Sequence, residues 1–250
     1  MIHLKTPGEI ETMDAANRIV HAVLAEVSAA LAPGVVLKDL DRLAESITAE
    51  KGAKPAFKGY NGYPASICIS RNEEVVHGIP GAAVIREGDI VSLDFGVILD
   101  GLYGDAACTC AVGEVDEAAR RLIDATRESL RMGVEKARVG NRVSDIGHAV
   151  QDYAESRGFS VVRDYVGHGI GRALHEEPQV PNFGDPGRGA RLQPGMVLAI
   201  EPMINEGGAD VVVDDDGWTV RTADRKRSAH FEYSVAVTEN GPRILGVGGA

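Results

Sequence analysis

No run in this 250-residue sequence approaches the ~18 apolar residues that a membrane-spanning helix needs. The opening stretch MIHLKTPGEIETM lacks the apolar region of a secretory signal. Cysteine is scarce: Cys68, Cys108 and Cys110 make an odd set with no Cys-x-x-Cys spacing, which fits a reducing compartment better than a disulfide framework. Positive charge is in deficit, and the net charge of −11 disfavours general binding to nucleic acid. There is no low-complexity linker and no tag. These absences leave a cytoplasmic protein, free of membrane and specific nucleic-acid partners, long enough to bury a full core.

Periodicity then fills in the elements. Thr6-Pro7-Gly8-Glu9 reads as a helix start, with a threonine cap, proline in the first turn and glutamate at the capping-box position. Ile10, Met13, Ile19, Val20, Val23, Leu24 and Val27 follow at helical spacing, and Pro33-Gly34 ends the segment. Further helices are expected near 37–51, 116–137 and 143–157. Short strands are expected at 66–70 and 74–77, a hairpin over 89–112, and strands near 160–168, 196–203, 218–222 and 229–238. Segments 184–195 and 210–217 read as loops. The sum is an α+β chain, with helix pairs covering a curved antiparallel sheet.

Five charged or polar residues interrupt the apolar strands: Asp94, Asp105, His168, Glu201 and Glu232. A charge there is costly unless something compensates it, and a pair of divalent cations would compensate all five. The hairpin carries geometry. A two-residue turn at Asp100-Gly101 pairs Leu99 with Leu102 and Asp94 with Ala107. Asp105 lies two residues from Ala107, so both aspartates share one face, diagonal neighbours about 7–8 Å apart at the backbone. Either aspartate alone reads as an exposed edge residue; the two together read as ligands. Oxygen and imidazole donors suit Mn, Fe, Co or Zn. This points to a hydrolase with a two-metal centre.

A faint repeat supports the pairing. Residues 32–52 align without a gap on 138–158, placing Gly34 on Gly140, Asp39 on Asp145 and Gly52 on Gly158. EGDIVSLD (87–94) lies over PGMVLAIE (194–201), so Asp94 falls on Glu201, and the segment after Asp105 lies over that after Glu232. Chance likeness between amphipathic helices explains the first match but not the superposition of the ligand candidates. The chain therefore reads as one catalytic domain of two related halves, roughly 1–113 and 114–250. His168 has no counterpart in the first half. Among the other histidines, His77 in VVHGIP and His175 in ALHEEP sit in settings resembling that of His168. His21 reads as structural and His148 as exposed.

The motifs DFGVILDGLYGDAACT, YVGHGIGRALHEEPQVPNF, LQPGMVLAIEPM and SAHFEYSVAVT, together with TPGEIE near the start, resemble the methionine aminopeptidases of the bacterial type I form over nearly the whole chain. The resemblance implies the "pita-bread" fold, two αβ halves about a pseudo-two-fold axis. It implies removal of the initiator methionine from nascent proteins when the next residue is small. Two divalent metal ions (Co, Mn, Fe or Zn) would be held by Asp94, Asp105, His168, Glu201 and Glu232, with Asp105 and Glu232 bridging and Glu201 as proton shuttle. His77 and His175 would contact the scissile peptide, and Tyr60, Tyr63, Cys68 and Trp218 would line the methionine pocket. The family is mostly monomeric.

Two residues depart from the family's pattern. Leu174 stands where an aromatic is frequent, which implies a roomier pocket. His230 stands where glutamine is common, on the same strand face as Glu232, as either a partner of the ligands or an extra ligand. Two other readings use the same fold: an Xaa-Pro peptidase, whose members carry an extra N-terminal domain where this chain begins close to the catalytic unit, and a non-catalytic binding protein, which would have lost ligands. Arg221, Arg225, Lys226 and Arg227 form a basic cluster that would serve transient ribosome contact, although a solvated loop is the simpler reading.

Overall fold

Thr6 begins helix α1 (Pro7–Ala29) as its motif requires. The Thr6 hydroxyl accepts from the Glu9 N–H, and the Glu9 carboxylate accepts from the Thr6 N–H. Helices α2 (Leu37–Glu50), α3 (Glu117–Lys136) and α4 (Val143–Ser156) follow the expected spans within two residues. Asp116 caps α3 through the Ala119 N–H at 2.8 Å. The computed structural model describes residues 1–248. Among these no helix is long and apolar enough to cross a membrane.

A nine-stranded antiparallel sheet organises the chain. At its centre the strand Leu102–Ala111 pairs with Glu232–Thr238. Outward on one side lie Ile90–Leu99 and then Cys68–Arg71. Outward on the other lie Val197–Ile200 and then Gly167–Gly169. The order is thus mirrored about the central pair, and each half brings its own helix pair. Helices α2 and α4 start and stop at equivalent positions of the repeat. The glycines that the alignment matched have matching left-handed backbones: φ is 94° at Gly34 and 96° at Gly140, 87° at Gly88 and 89° at Gly195. Isolated bridges Val36–Val84 and Arg142–Arg191 also fall at equivalent places. The repeat is therefore a structural pseudo-two-fold and not an accident of helix composition.

Alternation along the strands separates two faces. Leu93, Phe95 and Val97 point to the helix side and pack with Val20, Val23 and Leu40 of α1 and α2. In the other half Leu198, Ile200, Val235 and Val237 pack with Leu122, Leu130, Ile146 and Val150. The helices α3 and α4 come together at Gly133, where an added Cβ would lie 2.8 Å from Val150 Cγ2. The opposite sheet face is left for the polar residues.

Three expected strands are broken. The stretch 160–168 becomes Ser160–Val161 and Gly167–Gly169; 196–203 splits around Glu201-Pro202; 229–238 splits at Phe231. In each case the chain leaves the main sheet and its other piece joins a small three-stranded sheet. The stretch 210–217, read as loop, contains the strand Val211–Val213, which pairs with Val220–Thr222. Strands Glu176–Val180 and Gly241–Ile244 were not anticipated. Both are short and carry a proline, a poor strand signal.

Candidate metal centre and active site

The hairpin register is the expected one: Leu99 faces Leu102, Asp94 faces Ala107 and Asp105 faces Gly96. Ala107 is also opposite Glu232 on its other neighbour. Asp94, Ala107 and Glu232 thus form one row across three strands, with Asp105 two residues along on the same face. Ser234, Ala199 and His168 form the next row. Glu201 lies two residues beyond Ala199, just past the strand end, and shares that face. All five candidates therefore converge from five neighbouring segments by strand pairing and alternation alone.

Side-chain geometry agrees. Ligand atoms of Asp105, His168 and Glu232 all lie within 4.8 Å of one another. His168 Nε2 is 3.5 Å from Glu201 Oε1. The Nδ1–H of His168 donates to the Gly169 carbonyl at 2.8 Å, which fixes the tautomer and leaves the Nε2 lone pair facing the carboxylates.

The carboxyl groups of this face are crowded together in a buried setting, and a cation would compensate their charge. Burial pushes the Asp94 carboxyl up to about 7. Burial, with added repulsion from the other carboxylates, raises Asp105, Glu201 and Glu232 as well. Burial, then the His175 charge, lowers His168 to about 3, so its ring is neutral and free to ligate. Asp94 Oδ1, Asp105 Oδ1 and Glu232 Oε1 are buried without a hydrogen-bond partner among the described residues. Orphaned oxygens beside a neutral imidazole are the donor set of a hard or borderline divalent ion, and the residues present fit one.

These groups line one end of a cavity of about 230 Å³. Its walls include all the remaining candidates: His77, His175, Tyr60, Tyr63, Cys68 and Trp218. His77 has φ +60°, a left-handed backbone that is strained for histidine and frequent at functional positions. Its ring meets the edges of Tyr165 and Trp218, and burial brings its pKa down to about 4. The Tyr60 hydroxyl lies 2.7 Å from His175 Nδ1. Tyr63 donates to the carbonyls of Ile67 and Gly78 and packs edge-on against Trp218. Cys68 is opposite Asp94. Leu174 is buried in the wall. Phe57, Tyr165 and Met203 complete the apolar lining. Met203 was readable from its alternation with Glu201, whereas Phe57 and Tyr165 arrive from loops and had no sequence signal.

His230 is fully buried behind Glu201, outside the cavity lining, with Nε2 3.7 Å from Glu201 Oε2 and neither ring nitrogen hydrogen-bonded among the described residues. Two of the four residues of the basic cluster are engaged by carboxylates. Arg221 bridges Asp214, Glu73 and Glu74, and Arg227 bridges Glu206 and Asp116. Cys108 and Cys110 point away from the site, towards Ser28 of α1.

The sequence profile of metallopeptidase family M24 matches residues 11–239. A methionine aminopeptidase of Clostridium perfringens is 54% identical over 245 residues, 98% of each chain. The crystal structure of a methionine aminopeptidase from Thermotoga maritima superposes with a TM-score of 0.97 at 51% identity, covering 98% of this chain and 99% of that one. A prolidase from Pyrococcus furiosus shares the fold at TM-score 0.79 and 24% identity, and this chain covers only 66% of it.

Proposed function

The chain belongs to metallopeptidase family M24, a family that uses divalent metal, and from that membership and the cleft's geometry we propose that it removes the N-terminal initiator methionine from nascent proteins and peptides whose second residue is small. One observation carries the reading: five ligand-type side chains line a cavity of about 230 Å³ whose other walls combine His77 and His175 with apolar and aromatic side chains such as Tyr63, Leu174 and Trp218. The fold alone does not separate this activity from Xaa-Pro cleavage, but the relatives that match nearly end to end bear the first name and the prolidase matches in fold only. A non-catalytic binding role is disfavoured because all five ligand residues are present.

Asp94, Asp105, His168, Glu201 and Glu232 would hold two divalent ions. When bound, the ions compensate the carboxylates, lower the pKa of water and polarise the scissile carbonyl. The chain's own groups do the rest. Glu201 takes the proton of the attacking water and delivers it to the leaving amide nitrogen. In the tautomer in which the Tyr60 hydroxyl donates to Nδ1, His175 presents Nε2–H to the cavity, a fixed donor for the oxygen that gains charge. His77, also in the cavity wall, contacts the peptide. Tyr60, Tyr63, Cys68 and Trp218 enclose the thioether and exclude water from it.

The whole chain acts as one catalytic unit of two halves, roughly 1–113 and 114–250, as a monomer in the cytoplasm. Transient contact with ribosomal phosphates would fall to Arg225 and Lys226, since Arg221 and Arg227 are neutralised from within. The deciding experiment is methionine release from Met-Ala-Ser, with Mn or Co and with chelator, beside an Ala-Pro peptide. Metal-dependent release of methionine with Ala-Pro intact is the expected result. Cleavage of Ala-Pro alone would transfer the function to the proline peptidases.

A further inference from the structure

His175 ends a loop, 171–175, that leads into the strand Glu176–Val180, and the loop's amides have few backbone partners. The N–H groups of Arg172 and Ala173 both donate to one acceptor, Glu176 Oε1, at 2.7 and 3.2 Å. The other oxygen of that carboxylate, Oε2, accepts from Lys5 Nζ at 2.6 Å. Both side chains of this ion pair are less than a tenth exposed. Lys5 is itself held: its Nζ donates to the His3 carbonyl, and its N–H to the Gly195 carbonyl at 2.7 Å. A second tie runs in parallel, from the Arg172 guanidinium to Glu9, the residue that closes the capping box of α1. Gly171 is pressed against Lys5, where an added Cβ would lie 2.2 Å from Cε.

From this arrangement we infer that Lys5 is a positioning residue for His175, acting through Glu176. The segment ahead of α1 works as a staple that sets the catalytic loop. A buried ion pair is a good instrument for this task. It contributes little net stability, but losing one partner strands the other charge, so the loop has one well-defined seat. His175 then meets two fixed points, Glu176 on its chain side and the Tyr60 hydroxyl on its ring. The inference rests on the reading of His175 as a substrate-facing group, but the staple itself can be tested without it.

The test compares Lys5→Met, Glu176→Gln and the double variant with the parent, all as Mn-loaded full-length protein. Hydrogen exchange is read at the 171–176 amides and in α3 and α4, with kcat, KM and bound Mn measured in parallel. Each single variant should raise exchange at Arg172 and Ala173 at least tenfold and leave α3 and α4 unchanged. It should lower kcat tenfold or more, with KM and Mn content little altered. The double variant should be no worse than either single, because the pair acts as a unit. Gly171→Ala, which crowds Lys5 without removing a charge, should reproduce the effect. If Lys5→Met does not fold, Glu176→Gln carries the comparison. Unchanged exchange at 171–176, exchange raised equally in all elements, or kcat within twofold of parent in the variants would overturn the inference. A parent enzyme that releases no methionine, with the exchange pattern as expected, would instead refute the activity and keep the staple.

Discussion

Glu201 illustrates how a single position can be legible in type and not in setting. Its identity and spacing marked it as a ligand, but it stands just beyond a strand, before Pro202, and not within one. Ending the strand there frees the carboxylate to turn towards His168 Nε2. Asp94→Ala or Glu232→Ala should abolish turnover and reduce bound metal while leaving the helical circular dichroism intact, because both side chains end in the cavity and support no helix contact. Appreciable activity in either variant would contradict the two-ion assignment. His175→Ala should lower kcat by about 10²–10³, the usual loss for one fixed donor to a developing oxyanion. His230→Gln should shift metal affinity or the pH–rate curve measurably, by about two- to tenfold, since the ring lies against Glu201 and lines no part of the cavity. Calorimetric metal titration checks this, and an unchanged affinity and pH–rate curve would remove His230 from the site.

Elements with local causes came out as their sequences indicated. The Thr6 capping box, the Asp116 cap and the Asp100-Gly101 turn each depend on contacts within a few residues. Thr6→Ala should cost about 1 kcal/mol of stability, measurable by denaturant unfolding. It should also weaken the Arg172–Glu9 tie, because Glu9 loses its fixed position. Elements whose ends are set by partners elsewhere were misread. The stretch 229–238 is apolar enough for one strand, but Ser228–His230 pairs with Met203–Asn205 while Glu232–Thr238 enters the main sheet. The break at Phe231 is set by the meeting of two sheets and leaves no mark in the local pattern. Glu177-Pro178 likewise hid a strand that exists because Gly167–Gly169 offers it an edge.

At the scale of the molecule, the cluster of buried carboxylates links stability to metal and to pH. The Asp94 pKa of about 7 lies above its unfolded value of about 4. The native state therefore holds the extra proton, and stability falls as pH rises through about 7. Asp105, Glu201 and Glu232 act in the same direction. Buried histidines with lowered pKa, among them His77 and His168, act oppositely: stability is lost as pH falls below about 6.5. Above about 6.5 the histidine contribution is complete, and the four raised carboxyls are opposed only by the Cys110 thiol, which the Cys108 hydrogen bond draws down to about 6 and which favours the folded state as pH rises. The Tm of chelator-treated protein should fall between pH 6.5 and 8, and the rise in Tm on adding Mn should be larger at pH 8. A metal-free Tm that increases over this range would show that the carboxylates are not the dominant buried charge.

Hairpin register, helix spans, the pseudo-two-fold repeat and the face shared by Asp94 and Asp105 were determined by the sequence itself. Periodicity, caps and a two-residue turn act over short distances, and their signals are local. The resemblance carried by the motifs then named the ligands and the pocket residues. Only the tertiary structure decided that Phe57 and Tyr165 join the cavity wall, that His230 sits behind Glu201, and that Arg221 and Arg227 are spent on internal carboxylates. It alone brought Lys5 to Glu176, 171 residues later. Such contacts depend on where separate segments meet in space, and no periodicity along the chain encodes that meeting.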